Sequence, residues 1–78
     1  MADDLLTFEL SPDGDTLDIH GDSSGLRRLA AILERLASGT KADHEHLATR
    51  EWAGDELSSE SQGGRILDKV TIHSWVEE

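Results

Sequence analysis

Leu26-Arg27-Arg28-Leu29-Ala30-Ala31-Ile32-Leu33-Glu34-Arg35-Leu36-Ala37, residues 26–37, is the stretch whose reading decides the fold. Leu26, Leu29, Ala30, Leu33, Leu36 and Ala37 recur at three- and four-residue steps, while Arg27, Arg28, Glu34 and Arg35 take the remaining faces. That spacing gathers the apolar side chains into one stripe of a helix, and Ile32 widens it. Upstream, Gly21-Asp22-Ser23-Ser24 supplies N-cap candidates, with Asp22 favoured at the positive end of the helix dipole. Downstream, Ser38-Gly39 closes the helix, and Gly39 is expected in the left-handed C′ position. A helix with one apolar side needs one layer to lie on.

The flanking segments supply that layer. In residues 5–10, Leu6, Phe8 and Leu10 alternate with Thr7 and Glu9, the period of a half-buried strand. Ser11-Pro12-Asp13-Gly14 reads as a turn, and residues 15–20 resume alternation with Leu17 and Ile19 on one side and Thr16, Asp18 and His20 on the other. The two strands predict a β-hairpin. Residues 43–49 form a third strand with a weak apolar signal, Leu47 and Ala48 pointing opposite ways. Residues 50–64 read as a long polar loop with one helical turn near Trp52. Residues 66–76 form the last strand, with Ile66, Val70, Ile72 and Val76 in phase and Lys69, Thr71, His73 and Trp75 opposite. The expected architecture is a single two-layer α+β domain over 1–78, with order ββαββ. It has a four-stranded, mainly antiparallel sheet and one helix on one face. Strand order 2-1-3-4 makes every neighbour antiparallel.

Composition narrows the function. The chain has 78 residues, 7 Lys+Arg against 17 Asp+Glu, a net charge of −10 and no Cys. Nucleic acid is not an expected partner, because no surplus of cations exists to release counterions from phosphates. Anionic membrane surfaces are disfavoured for the same reason. Without Cys there is no disulfide framework, thiolate chemistry or Cys-type zinc site. No apolar run approaches a membrane span, and the start Met1-Ala2-Asp3-Asp4 is acidic where a secretory signal is basic, so a cytoplasmic location is expected. The hydrophobic content of 36% leaves a small core, which dimerisation would support, and a homodimer is a further expectation.

One helix covers one face of a sheet. With Leu17, Ile19, Val70, Ile72 and Leu47 facing the helix, alternation sends His20, His44, His46, His73 and Trp75 to the other face. Exposed imidazoles and an indole make a recognition surface, since Trp is enriched among interface anchors. The bland alternative is a solvated face with Trp75 covered by the 50–64 loop or a second copy. The His44-x-His46 pair, with His20 or His73 as a third ligand, admits a metal-binding module as an alternative. No spacing of a known metal motif supports it, and no metal or cofactor is expected. Catalysis is not expected either: G-x-S-x-G is absent, and Gly63-Gly64 lacks the Lys-Ser/Thr of a phosphate loop. The acidic excess reads as a solubilising surface or as complementarity to a basic protein partner.

The stretch from Asp43-His44-Glu45-His46-Leu47 through Trp52-Ala53-Gly54-Asp55-Glu56-Leu57 resembles the central signature of the bacterial immunity protein 32 family of polymorphic toxin systems. In that pattern an acidic-His-x-His-Leu strand runs into a Trp-Gly-x-x-Leu segment. Here Ala53 stands between Trp52 and Gly54. The resemblance extends over most of residues 7–76. It implies a small intracellular antidote that binds a cognate toxin, expected to be basic, and blocks it by occlusion. His44, His46, Trp52, Gly54 and Leu57 are the residue types most like the family's. Combined with the open-face reading, the candidate partner-binding residues are His44, His46, His73, Trp75 and Trp52.

Overall fold

Asp22 starts the helix as its N-cap, its Oδ1 accepting the Gly25 N–H at 2.7 Å while Oδ2 accepts the Leu5 N–H at 3.0 Å. One carboxylate therefore ties the helix to the first strand as well as capping it. Gly25 is required at this junction, because a Cβ there would lie 1.8 Å from the Leu5 carbonyl oxygen. The computed structural model describes residues 4–76. The elements are β1 (Leu6–Leu10), β2 (Leu17–Gly21), α1 (Ser23–Ala37), β3 (Asp43–Ala48), a 3₁₀ turn (Arg50–Trp52), β4 (Arg65–Ile66) and β5 (Lys69–Ser74). The helix ends at Ser38 in a right-handed conformation, and Gly39 is not left-handed as the sequence suggested. The Ser38 N–H simply continues the helical ladder to the Glu34 carbonyl.

The hairpin forms as expected, with Phe8 opposite Ile19 and Gly14 at a positive φ of 76° in the turn. The class is α+β, but the four-stranded sheet is not: the strands divide into β2-β1-β4 and β3-β5, all pairs antiparallel. Two features cause the split. The fourth strand breaks at Leu67-Asp68. Leu67 donates its N–H to the Phe8 carbonyl of β1, whereas Asp68 accepts from the N–H and hydroxyl of Thr49 at the end of β3. The chain thus leaves one strand for another within two residues. Residues 56–58 then fill the gap between the sheets. The Leu57 N–H donates to the Ala48 carbonyl and the Ser58 N–H to the Leu6 carbonyl.

The break also reverses the side-chain phase. Ile66 sits opposite Glu9, whose side chain points away from the helix, and Leu67 takes the core place beside Phe8. The sequence reading had put Ile66 in phase with Val70 and Ile72. Leu6, Phe8, Leu29, Leu47 and Leu57 form the core, with Ile32, Leu67, Val70 and Ile72 packed against it. Leu57, from the polar loop, is a core residue because residues 56–58 are held between the sheets by hydrogen bonds to Ala48 and Leu6. The buried side of α1 runs through Gly25, Leu29 and Leu36, leaving Leu26 and Leu33 at its margin. Arg28 fastens the N-terminal segment to the loop, donating to Asp4 at 2.6 and 3.1 Å and to the Glu56 carbonyl at 2.9 Å. The Arg28 hydrogen bond holds the Asp4 carboxyl below its usual range.

Candidate functional site: the ring-bearing face of β3 and β5

Strand alternation fixes the site. β3 and β5 pair with His44 opposite His73 and His46 opposite Thr71. Leu47 and its partner Val70 face the helix, so His44, His46, Lys69, Thr71 and His73 face away from it. Cross-strand partners on one face lie close, and the rings meet. His44 is 4.8 Å from His46 and 5.8 Å from His73, centroid to centroid, and His73 stacks on Trp75 at 6.4 Å with planes 22° apart. His46 Nδ1 shares a 3.0 Å hydrogen bond with the Thr71 hydroxyl. His44, His46 and His73 are exposed, and Trp75 is 82% exposed. The expected row of imidazoles and an indole is therefore brought together in one place.

Trp52 does not join it. It stands on the 3₁₀ turn, 60% exposed, outside the chain of ring contacts. His20 also points away from the helix, opposite Thr7, but on β2 in the other sheet. It is half-buried and apart from the ring row.

Over β1 the surface facing away from the helix is covered, while β2 keeps Asp18 exposed there. Over β1, the loop forms a roof on Glu9, which is fully buried. Glu9 accepts the Gln62 and Gly64 N–H groups at 3.0 and 2.9 Å, the Thr7 hydroxyl at 2.6 Å and the Ser61 hydroxyl at 3.2 Å. Burial pushes its carboxyl up, but the hydroxyls and backbone N–H groups of Thr7, Gln62, Gly64 and Ser61 prevail and hold it at about 2. A buried carboxylate is thus satisfied without a cation. The sequence reading placed Glu9 on a solvated face and missed this; the Ser61-Gln62-Gly63-Gly64 run was the available signal for a loop rich in N–H donors.

At the end of β3, Ala48 is covered by Gly54, where a Cβ would lie 2.6 Å from the Ala48 carbonyl oxygen. Gly54 allows this contact. The left-handed turn that precedes it falls on Ala53, at φ 65°. Glu56 closes the same end, its carboxylate accepting the Ala48 N–H.

The outward face of the β3–β5 pair carries no carboxylate along either strand: His44, His46 and Ala48 on one, Lys69, Thr71, His73 and then Trp75 on the other. Asp43 and Glu56 stand at its two ends, through hydrogen bonds with the His44 and Ala48 N–H groups. In a chain of charge −10 this is a carboxylate-free, ring-rich face that also bears Lys69. Among the described residues no group of three or more His, Cys, Asp or Glu is placed to hold a metal ion. Nor is any described helix long and apolar enough to cross a membrane.

The fold is a small α+β domain with exposed, neighbouring rings on one strand face. The chain belongs to the Immunity protein 32 family, whose family model matches residues 16–71. The match takes in β2, α1, β3 and the long loop, hence His44, His46 and Trp52; His73 and Trp75 lie beyond it. Comparisons with curated proteins and with solved structures give no match.

Proposed function

We propose that this protein is an antitoxin of a polymorphic toxin system. It acts in the bacterial cytoplasm, where it binds a cognate toxin domain and neutralises it by occlusion. Family membership supports the class. The observation that carries the binding mode is the ring row, His46–His44–His73–Trp75, presented on a strand face without carboxylates in an acidic molecule.

The mechanism is association without chemistry. The net negative field accelerates encounter with a basic toxin, an effect that salt screens. Trp75 then supplies a large apolar anchor, and the imidazoles supply donors and acceptors beside it. The face sits on paired strands, so it is presented rigidly and little ordering opposes binding. Trp52, in the first turn of the loop after β3, is assigned to the margin of the same contact. Neutralisation follows from covering the toxin's working surface. The test is co-expression with a cognate toxin domain, sought in the gene immediately upstream. The intact chain restores growth and co-purifies with the toxin, and a chain carrying His44→Ala, His46→Ala and Trp75→Ala, still folded, does neither. Growth rescue by the folded triple variant would refute this binding mode.

A further inference from the structure

The other unpartnered surface lies at the opposite sheet. β2 is an outer strand, paired on one side only. The Asp22 N–H donates to the Leu5 carbonyl, and the register continues through Thr7 with His20 and Glu9 with Asp18. In an antiparallel ladder this phase turns the N–H and C=O groups of Leu17, Ile19 and Gly21 outward. No other described segment bonds to them. Edge strands are normally blunted by Lys, Pro or a bulge. Leu17-Asp18-Ile19-His20-Gly21 has none of these. The side chains of Leu17 and Ile19 fall on the helix side, opposite Leu10 and Phe8, yet each is about half exposed, as are Leu26 and Leu33 on α1. The helix packs across β2, β3 and β5, with Leu26 lying against Gly21, and still leaves these four side chains about half exposed. An apolar margin therefore runs beside an open strand edge.

We propose that a second copy of this chain occupies the edge, β2 against β2, antiparallel about a two-fold axis at Ile19. The strand is its own complement in this register. Ile19 meets Ile19, Asp18 lies opposite His20, and Leu17 lies opposite Gly21, which leaves room for it. Each Asp18 carboxylate accepts from the facing His20 imidazole on the side away from the helix. On the helix side, Leu17, Ile19, Leu26 and Leu33 of both copies join into one apolar layer. The contact is isologous, so it closes at two copies and removes an aggregation-prone edge. The opposing force is repulsion between two chains of −10 each. Dimerisation is accordingly stronger at high salt, the reverse of the dependence proposed for toxin binding.

Sedimentation equilibrium of the full chain at low and high salt tests this. The expected result is a reversible dimer whose dissociation constant falls severalfold on adding salt, and a monomeric Ile19→Lys variant that still melts cooperatively. The chain has no Cys, so Ile19→Cys introduces a single thiol beside its symmetry mate, with Cα atoms about 5.5 Å apart. That variant forms a disulfide dimer far faster than Lys41→Cys, whose site is exposed and remote from the axis. A chain monomeric at all concentrations and both salts, a dimer that survives Ile19→Lys, or equal cross-linking at positions 19 and 41 would overturn the proposal. Should Ile19→Lys fail to fold, the cysteine pair decides.

Discussion

His73 and Trp75 lie on the same side of the final strand with their rings stacked 6.4 Å apart, and the indole keeps 82% of its surface in solvent. An aromatic so placed adds little to the fold and has much to give an interface. Trp75→Ala is expected to change stability by no more than about 0.5 kcal/mol, the range for exposed positions. Its affinity for the toxin should fall by about thirtyfold or more, an interface anchor being worth about 2 kcal/mol upward. Thermal melts and titration calorimetry on the same preparation separate the two effects. A Trp75→Ala chain that loses its fold would show the indole to be core.

Glu9 holds the loop down, and acid should release it. Its folded carboxyl titrates at about 2 against an ordinary value of 4.5. A depressed carboxyl contributes stability that is fully present above its unfolded value. That contribution drains away as pH falls through about 2. Glu9→Gln brings an amide NH₂ against the Gln62 and Gly64 N–H donors, at a cost of about 2–4 kcal/mol. In a domain of this size that lowers the melting temperature by about 10 °C or more at neutral pH. Unfolding followed from pH 6 to pH 2 (endpoints chosen about the carboxylate range) should be markedly flatter for the variant. Equal acid sensitivity of the two chains would contradict this role.

Ala53 occupies a left-handed turn at φ 65°, a conformation costing an L-residue about 1 kcal/mol. Ala53→Gly should relieve that strain and stabilise the protein by up to about 1 kcal/mol, less the added freedom of glycine in the unfolded chain. Gly54→Ala should act oppositely, destabilising by about 1–3 kcal/mol or more, because its Cβ meets the Ala48 backbone at 2.6 Å. Chemical denaturation of the two variants compares them directly. A neutral Gly54→Ala would mean that the loop can move off β3.

Toxin binding should weaken steeply as salt rises, mostly through slower association, since the chain's −10 charge acts at a distance while the ring window itself bears no carboxylate. Stopped-flow association at several salt concentrations measures it. A rate independent of salt would remove the charge from the mechanism.

Much of this architecture is written in local patterns. The stripe around Leu29 and Leu36, the Asp22 cap, the Asp13-Gly14 turn and the alternation of Leu6 and Phe8 each specify their element within a few residues. The ring row was legible as well, because Leu47 and Val70 fix which way β3 and β5 present His44, His46 and His73. What could not be read depends on partners far along the chain. The phase change at Leu67-Asp68 arises because Phe8 bonds to Leu67 and Thr49 to Asp68, the very next residue. The burial of Glu9 follows from N–H groups 53 to 55 residues away. Leu57 enters the core because it and Ser58 bond to Ala48 and Leu6, and nothing in a run of Asp, Glu and Ser announces that bridge. Trp52 was read through its residue type, and its turn carries it away from the rings.

Amide hydrogen exchange on the chain, alone and saturated with the proposed cognate toxin domain, puts the central idea to its most direct test. The account predicts slowed exchange concentrated in Asp43–Ala48 and Lys69–Ser74, with the Trp75 indole N–H protected alongside. A formed complex in which those strands exchange as freely as before, and protection falls on other elements, would contradict it.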